Sequence, residues 1–222
     1  MIHIEDIRVK KKDNVILDSI NITVKKGEKI LLTGESGSGK STLLKSILFF
    51  EQFSGTISFN GTPIDDGNLT DFRGKIGYIG QLPPTLDQPV LDFIKMPFRY
   101  KANREKKFDD VRLDTLLARL HFDASVLGKN FSDLSGGEKQ RILILQVLLL
   151  DKPIYLFDEI TSALDQKNIE KVVSLITGDK DKTIISISHN PEWRRYCSRV
   201  LEIKDGKISE CPESRMYDCE EG

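Results

Sequence analysis

The chain has 222 residues, with 33 Lys and Arg against 34 Asp and Glu. This length suits one large domain, or one domain with an inserted lobe, and the near-neutral charge gives no electrostatic case for nucleic-acid binding. The longest apolar stretch, residues 142–150, contains Gln146 and is too short to span a bilayer. Cys197, Cys211 and Cys219 form no CxxC pair, which favours free thiols in a reducing compartment over disulfides or a zinc site.

The first part of the chain leads into a glycine-rich loop. Strands are predicted over residues 2–9 and 16–24, and residues 29–33 form the apolar run of a buried strand. The segment GESGSGKST, residues 34–42, follows and fits the pattern GxxxxGK(S/T). Apolar residues recur after it at helical spacing. The loop is therefore predicted to join a strand to a helix N-terminus, the context that this phosphate-binding motif requires.

The chemistry of the loop suits the phosphates of a nucleotide. Glycines let successive backbone N–H groups surround phosphate oxygens, and a helix N-terminus adds unpaired donors. Lys40 can reach the β- and γ-phosphates, and the Ser41 hydroxyl can ligate Mg²⁺. A ligand-free Gly/Ser-rich turn is the alternative, but the flanking strand and helix favour the nucleotide. The predicted ATP-binding residues are Gly34, Glu35, Ser36, Gly37, Ser38, Gly39, Lys40, Ser41 and Thr42.

The strand pattern is interrupted between residues 81 and 146. Strand signals are absent there, and apolar residues recur at helical spacing, most clearly over residues 109–120. The sequence therefore predicts a mixed α/β core with a helical insertion between two parts of its sheet. The further predicted strands cover residues 55–60, 75–80, 154–157, 183–188, 200–203 and 207–209.

Two carboxylates follow the apolar run at residues 154–157. Asp158, at the end of the predicted strand, suits Mg²⁺ because hard divalent cations prefer oxygen ligands. Glu159 lies one residue further, where it can accept a proton from an attacking water. Alone, an apolar strand followed by Asp-Glu is more often a strand entering a polar turn. The loop at residues 34–42 makes the magnesium site the favoured interpretation.

The segment LSGGEKQR, residues 134–141, begins another predicted helix. Ser135 and Glu138 have the spacing of a capping box, which would explain an ordinary helix start. Gly136 and Gly137 are poor choices for a first helical turn unless something approaches the backbone closely. A second anion-binding helix terminus is therefore predicted here.

Together these motifs resemble those of the ATP-binding subunits of ABC transporters, over nearly the whole chain. Residues 34–42 match the Walker A motif of that family, and residues 134–141 match its signature sequence. Further matches, in the family's order, are Gln81 with the Q-loop, residues 154–158 with the Walker B strand, Glu159 with the catalytic base, residues 162–165 with the D-loop and His189 with the switch histidine.

The resemblance implies an α/β fold: a P-loop NTPase of ABC type, with a mixed sheet core, an inserted helical subdomain and an N-terminal antiparallel β subdomain. We expect a single ABC ATPase domain over residues 1–222. Its core lobe is predicted at about residues 1–84 and 147–222, and its helical subdomain at about residues 85–146.

The resemblance also implies a homodimer that encloses two ATP molecules with Mg²⁺. Each ATP would lie between residues 34–42 of one subunit and Ser135, Gly136 and Gly137 of the other. Asp165 would pass contacts across the dimer. A separate transmembrane permease is the second expected partner, and no nucleic acid is expected.

The catalytic roles implied by the resemblance fall on three residues. Glu159 would polarise the attacking water, and His189 would contact the γ-phosphate. Gln81 would sense Mg²⁺ and the γ-phosphate and link them to the helical insertion. The Mg²⁺ ligands would be Ser41, Gln81 and Asp158. Catalysis would consist of positioning and charge stabilisation of an in-line phosphoryl transfer to water.

One departure from the family concerns the adenine. The family usually carries an aromatic residue before Walker A that stacks on the base, and residues 9–15 contain none. The adenine would then rest on Val15 or on a lysine stem, because such stems offer apolar surface. Modest selectivity between ATP and GTP is expected.

The resemblance implies that ATP hydrolysis drives transport by the permease, which would hold this subunit on the cytoplasmic face of the cell membrane. Residues 81–100 and the segment DEITSALD resemble the ATP-binding subunits of an iron-export group, whose relatives include plant aluminium-tolerance transporters. Subunits for phosphate, amino acids or lipoprotein release are close competitors. Two alternatives without transport are a soluble ABC ATPase of an iron–sulfur assembly machine and a regulatory ABC subunit, as in cell division.

Overall fold

The computed structural model describes residues 1–12 and 14–211, so that Cys219 lies outside the described residues. Seven α-helices occur in these ranges: α1 (Lys40–Ile47), α2 (Leu69–Gly74), α3 (Val90–Lys95), α4 (Asp110–Arg119), α5 (Gly136–Leu150), α6 (Gln166–Thr177) and α7 (Glu192–Tyr196). The strands are β1 (Ile2–Lys11), β2 (Asn14–Val24), β3 (Lys29–Thr33), β4 (Ser54–Phe59), β5 (Thr62–Pro63), β6 (Ile76–Ile79), β7 (Ile154–Asp158), β8 (Thr183–Ile187), β9 (Arg199–Lys204) and β10 (Lys207–Glu210).

The strands form two sheets. An antiparallel sheet has the order β2-β1-β4-β5, and a six-stranded mixed sheet has the order β10-β9-β3-β8-β7-β6. In the mixed sheet, β9, β3, β8, β7 and β6 are parallel, and β10 is antiparallel to β9. The carboxyl ends of the parallel strands therefore meet at one edge, which is where open α/β sheets bind ligands.

The mixed sheet is buried on both faces. Alternate residues of a strand point to opposite faces, so Tyr155 and Phe157 of β7 join one apolar cluster, while Ile154 and Leu156 join the other. The first cluster contains α5, α6 and the helices of residues 85–146. The second contains α1 and the antiparallel sheet. Strands buried on both faces read as continuous apolar runs, which is the pattern in the sequence.

The helical insertion is not a separate core. Its helices α3, α4 and α5 share one apolar cluster with the mixed sheet. Helix α5 is continuous over Gly136–Leu150, so it crosses the predicted boundary between residues 146 and 147. The division into lobes at residues 84 and 147 stays a prediction.

The predicted fold class is confirmed, and the individual elements agree closely. The strand predicted at residues 29–33 is β3, and the helix predicted over residues 109–120 is α4, whose N-cap Asp109 accepts a hydrogen bond from Arg112 N at 2.9 Å. The helices α2, α3, α6 and α7 were not individually predicted. No helix in the described ranges is long and apolar enough to cross a membrane.

The two described cysteines are free thiols, in agreement with the prediction. Burial raises the pKa of Cys197 to about 12, so this thiol stays protonated near neutral pH.

Gly77 of β6 provides a test of the packing between the mixed sheet and α5. A Cβ at Gly77 would lie 2.7 Å from Val147 Cγ1 and 2.8 Å from Tyr155 Cδ1. We expect Gly77→Val to lower the free energy of unfolding by about 1–3 kcal/mol through overpacking. Denaturant titration measures this change. In the control Gly128→Ala, an added Cβ meets no atom within 4 Å. The free energy of unfolding of this variant should stay within about 0.5 kcal/mol of the wild-type value. Equal stability of the two variants would refute the close contact.

Candidate active site

The loop between β3 and α1 has a backbone that requires glycine. Gly34 has φ 133°, and a Cβ there would lie 2.2 Å from the carbonyl oxygen of Ile203. Gly39 is the N-cap of α1 in the left-handed region, and no side chain caps the helix. The first N–H groups of α1 are therefore left for an external acceptor, and the partial positive charge of the terminus favours an anion.

Lys40 is a buried cation at the centre of this loop. Its side chain is 6% exposed, and Nζ donates to the carbonyl oxygens of Gly34 and Glu35 at 2.8 Å each. Burial lowers the pKa of Lys40, against the opposing effect of the carboxylates of Glu159 and Asp158.

Ser38 adds an unsatisfied donor to the same loop. Its buried hydroxyl has no hydrogen-bond partner among the residues that the structure describes. A buried polar group without a partner is rare and needs an explanation. Phosphate oxygens would supply acceptors both to Ser38 and to the ammonium of Lys40, so the loop fits the phosphates of a nucleotide.

Ser41 and Asp158 bring two oxygen ligands together. Ser41 Oγ, at the start of α1, donates to Asp158 Oδ1 at the end of β7 over 3.1 Å. Asp158 is 3% exposed, and burial raises its pKa. Because desolvation disfavours its charged form, this carboxylate gains from a nearby divalent cation, and oxygen ligands suit Mg²⁺.

Glu159 meets two other predicted catalytic residues. Gln81 Nε2, just beyond β6, donates to Glu159 Oε2 at 3.1 Å, and His189 Nε2, just beyond β8, lies 3.8 Å from Glu159 Oε1. The N–H of Glu159 donates to the carbonyl of Ile187 at 3.0 Å. Two segments that are remote in sequence from Glu159 thus converge on its carboxylate, which is the arrangement needed to orient a water beside a phosphate.

The segment at residues 135–137 caps α5. Glu138 N donates to Ser135 Oγ at 3.3 Å, and Ser135 N donates to Glu138 Oε2 at 2.9 Å, which confirms the predicted capping box. Hydrogen bonds from Ser135 lower the pKa of Glu138. Ser135 and Gly136 are exposed, and within the described ranges no hydrogen bond joins them to the loop at residues 34–42.

Asp165, the last of the predicted contact residues, is the N-cap of α6. Its Oδ1 accepts a hydrogen bond from Asn168 N at 2.9 Å. The side chain is exposed, and the hydrogen bonds from the start of α6 lower its pKa.

A pocket of about 310 Å³ adjoins the loop and is lined in part by its residues 35–38. Val15 of β2 lies on its wall and is 50% exposed, so it offers apolar surface to a planar ring. Sequence reasoning missed a further part of the lining, which comes from the β9–β10 turn around Gly206. Asp205-Gly206 is a recognisable hairpin turn between β9 and β10, but its place at the pocket follows from tertiary contacts, since Asp18 N donates to the carbonyl of Gly206 at 2.8 Å.

The fold and the site define a P-loop nucleotide-binding domain. Residues 17–162 match the family described as ABC transporter, and the chain belongs to that family.

Two curated relatives show different layouts. The chain is 30% identical over 208 residues to the probable iron export ATP-binding protein FetA of Escherichia coli, covering 92% of this chain and 91% of that protein. It is 33% identical over 219 residues to the mycobactin import ATP-binding/permease protein IrtB of Mycolicibacterium thermoresistibile, covering 94% of this chain and 37% of that protein. The chain spans 27–39% of the length of three such larger relatives.

A solved structure is similar over the full cassette. It is the dimeric post-hydrolysis state of an ATP-binding cassette bound to ADP and Pi, with 27% sequence identity and a TM-score of 0.81. The alignment covers 95% of this chain and 98% of that one.

Asp158 should contribute to ligand binding and should not stabilise the folded state of the nucleotide-free protein. In Asp158→Asn the amide oxygen can still accept from Ser41, while the buried charge is removed. We expect the nucleotide-free variant to melt at or above the wild-type temperature near neutral pH, and to lose Mg²⁺-dependent nucleotide binding. Thermal unfolding and binding titrations measure the two effects.

The pH dependence follows from the raised pKa of Asp158. Because the folded pKa lies above the unfolded one, protonation favours the folded state, and this contribution is lost as the pH rises through the folded pKa. The gain in melting temperature of Asp158→Asn over wild type should therefore become smaller at acidic pH. The control Asp66→Asn, at an exposed position, should change neither the melting temperature nor Mg²⁺-dependent nucleotide binding. A variant of Asp158 that melts well below wild type at neutral pH would contradict the argument.

Proposed function

We propose that the chain is the ATP-hydrolysing subunit of a transporter, acting as an ATP-sandwich homodimer on a separate membrane permease. The observation that carries the proposal is the convergence of Gln81 and His189 on Glu159, at the sheet edge that also presents Lys40 and Asp158. A binding module that only held a nucleotide would not need a carboxylate flanked in this way.

Each residue has a distinct part in the proposed reaction. Lys40 and the N–H groups at the start of α1 would hold the phosphates, and Ser41, Asp158 and Gln81 would hold Mg²⁺. The metal ion, when bound, neutralises charge on the phosphate oxygens. Glu159 accepts the proton of the attacking water. His189 lies beside that carboxylate, where it would contact the γ-phosphate.

The homodimer is supported by the exposure of Ser135 and Gly136. Ser135 and Gly136 at the capped terminus of α5 are exposed, and within the described residues no hydrogen bond joins them to the chain's own loop at residues 34–42. A terminus of this kind suits an anion supplied by another molecule. The dimeric cassettes among the solved structures support a pair. In the proposed head-to-tail arrangement, Asp165 also meets the partner.

Transport through a separate permease is supported by the relative from Escherichia coli, whose length the chain nearly matches. That relative also supports iron as the exported substrate. We infer attachment to the cytoplasmic face of a membrane through the permease. Co-purification of the chain with an adjacent-gene membrane protein, followed by ATPase assays with and without metal, tests this part. Soluble assembly proteins as the only partners would favour the alternative function.

Replacement of the proposed base should separate binding from hydrolysis. Glu159→Gln keeps the shape and the contact with Gln81 but cannot accept a proton. We expect phosphate release to fall by about a hundredfold or more, while ATP binding persists and an ATP-dependent dimer accumulates. Phosphate-release assays and light scattering measure these quantities. Lys40→Ala is the control, because it should lose ATP binding and the dimer together. Normal turnover in Glu159→Gln would remove the general-base role.

The exposed face of Val15 predicts weak discrimination between bases. GTP should compete with ATP within about one order of magnitude, and Val15→Tyr should strengthen ATP binding by about 1–3 kcal/mol through stacking. Competition titrations with both nucleotides measure the preference. Val111→Tyr, at an exposed position on α4, is the matched control and should change nothing. Strong preference of the wild-type chain for ATP would show that another group reads the adenine.

A further inference from the structure

One buried amide connects α5 to the turn that follows β7. Gln140 is 4% exposed, and its Oε1 accepts from Ala163 N at 3.1 Å. Its Nε2 donates to Ser162 Oγ at 3.2 Å and to the carbonyl of Glu159 at 3.5 Å. Because a backbone N–H can only donate, the contact with Ala163 fixes which atom of the amide is the oxygen, and both ends of the amide contact the turn.

The same turn is touched by the start of α5. Gly137 lies one helical turn before Gln140, and a Cβ there would lie 2.9 Å from the carbonyl oxygen of Ala163. A Cβ on Gly136 would lie 3.7 Å from Ala163 Cβ. The glycines of the capping segment therefore allow close packing on Ala163, besides any approach of a ligand. Residues 135–137 and the turn at residues 159–163 are packed as one unit.

Glu159 depends on this packing for its backbone conformation. Its φ is 53°, in the left-handed region, where a non-glycine residue persists only when its surroundings hold it. Ile187 accepts its N–H, and its carbonyl accepts from Ser162 N at 3.2 Å and from Gln140. On the other side of the turn, Trp193 Nε1 donates to Thr161 Oγ1 at 3.2 Å.

We propose that Gln140 is a positioning residue that couples the capping segment of α5 to the carboxylate of Glu159. Docking of Ser135–Gly137 against the nucleotide held by a partner subunit moves α5, and Gln140 transmits that movement to the backbone of Glu159 in the subunit's own site. Each subunit then contacts the nucleotide bound by its partner through residues 135–137, and this contact adjusts Glu159 beside the nucleotide that it binds itself. The inference rests on the proposed function of Glu159 as the base.

The chain offers a matched control on the same helix. Gln146 is also buried, and its Nε2 donates to the carbonyl of Phe93 at 2.5 Å, within the helical insertion. Gln146→Met and Gln140→Met each remove one buried amide from α5 with little change in volume. Of these two glutamines, Gln140 is the one that hydrogen-bonds to the turn after β7. A difference in catalysis between the two variants therefore isolates that contact.

The experiment measures steady-state ATP hydrolysis by the full chain as a function of ATP concentration. Gln140→Met should lower kcat by about tenfold or more, the order found when a group that supports a functional residue is removed. The Hill coefficient should fall toward one, and ATP affinity of the monomer should stay within about twofold. Gln146→Met should lose comparable thermal stability and keep both kcat and the Hill coefficient.

A second variant keeps the test decisive if Gln140→Met does not fold. Ser162→Ala, at an exposed position, removes the nearer of the two acceptors of the Gln140 amide and should lower kcat in the same direction. When both variants fold, the double variant should have the same kcat as Gln140→Met alone, because both substitutions remove the same hydrogen bond between Gln140 and Ser162.

The outcomes separate the two proposals. Unchanged kcat and Hill coefficient in Gln140→Met, or in Ser162→Ala where that variant carries the test, overturn the positioning role while wild-type hydrolysis stands. An equal loss of kcat in Gln140→Met and Gln146→Met also overturns it, because the effect would then follow stability. Absence of hydrolysis in the wild-type chain overturns the proposed function itself, and this inference with it.

Discussion

The site depends on the register of three adjacent parallel strands, β3, β8 and β7. Ile187 of β8 pairs with Leu32 of β3 on one side and with Asp158 of β7 on the other. This pairing sets the loop at residues 34–42, His189 and the carboxylates side by side at one edge of the sheet. A slip of one residue would turn Asp158 toward the opposite face and separate it from Ser41, because side chains alternate along a strand.

This arrangement buries two charged side chains, which opposes folding. Lys40 and Asp158 are nearly inaccessible, and burial opposes the charged form of each, as their shifted pKa values record. Among the residues that the structure describes, no ion pair joins Lys40 to Asp158. Lys40 donates instead to two loop carbonyls, and Asp158 accepts from the Ser41 hydroxyl. Such a site is prepared for a polyanion with a divalent cation, since those ligands supply the missing opposite charges.

Helix α5 packs against both the helical insertion and the mixed sheet. Its buried side chains belong to the apolar cluster shared by the insertion and the mixed sheet, and its first turn packs on Ala163 beside Glu159. The insertion therefore cannot shift freely with respect to the turn after β7. Close-packed interiors transmit displacement, so a movement imposed on either end of α5 reaches the other.

The sequence by itself determined the class of fold, the strand that precedes the loop at residues 34–42 and the capping box of Ser135, because these depend on local periodicity and on backbone chemistry. It also marked Asp158 and Glu159 as candidates. Only the tertiary structure decided which groups meet: Gln81 and His189 at Glu159, Gly206 beside Val15, and Gln140 on the turn after β7. Those contacts join residues remote in the chain, and they follow from strand order and helix packing, which no local pattern encodes.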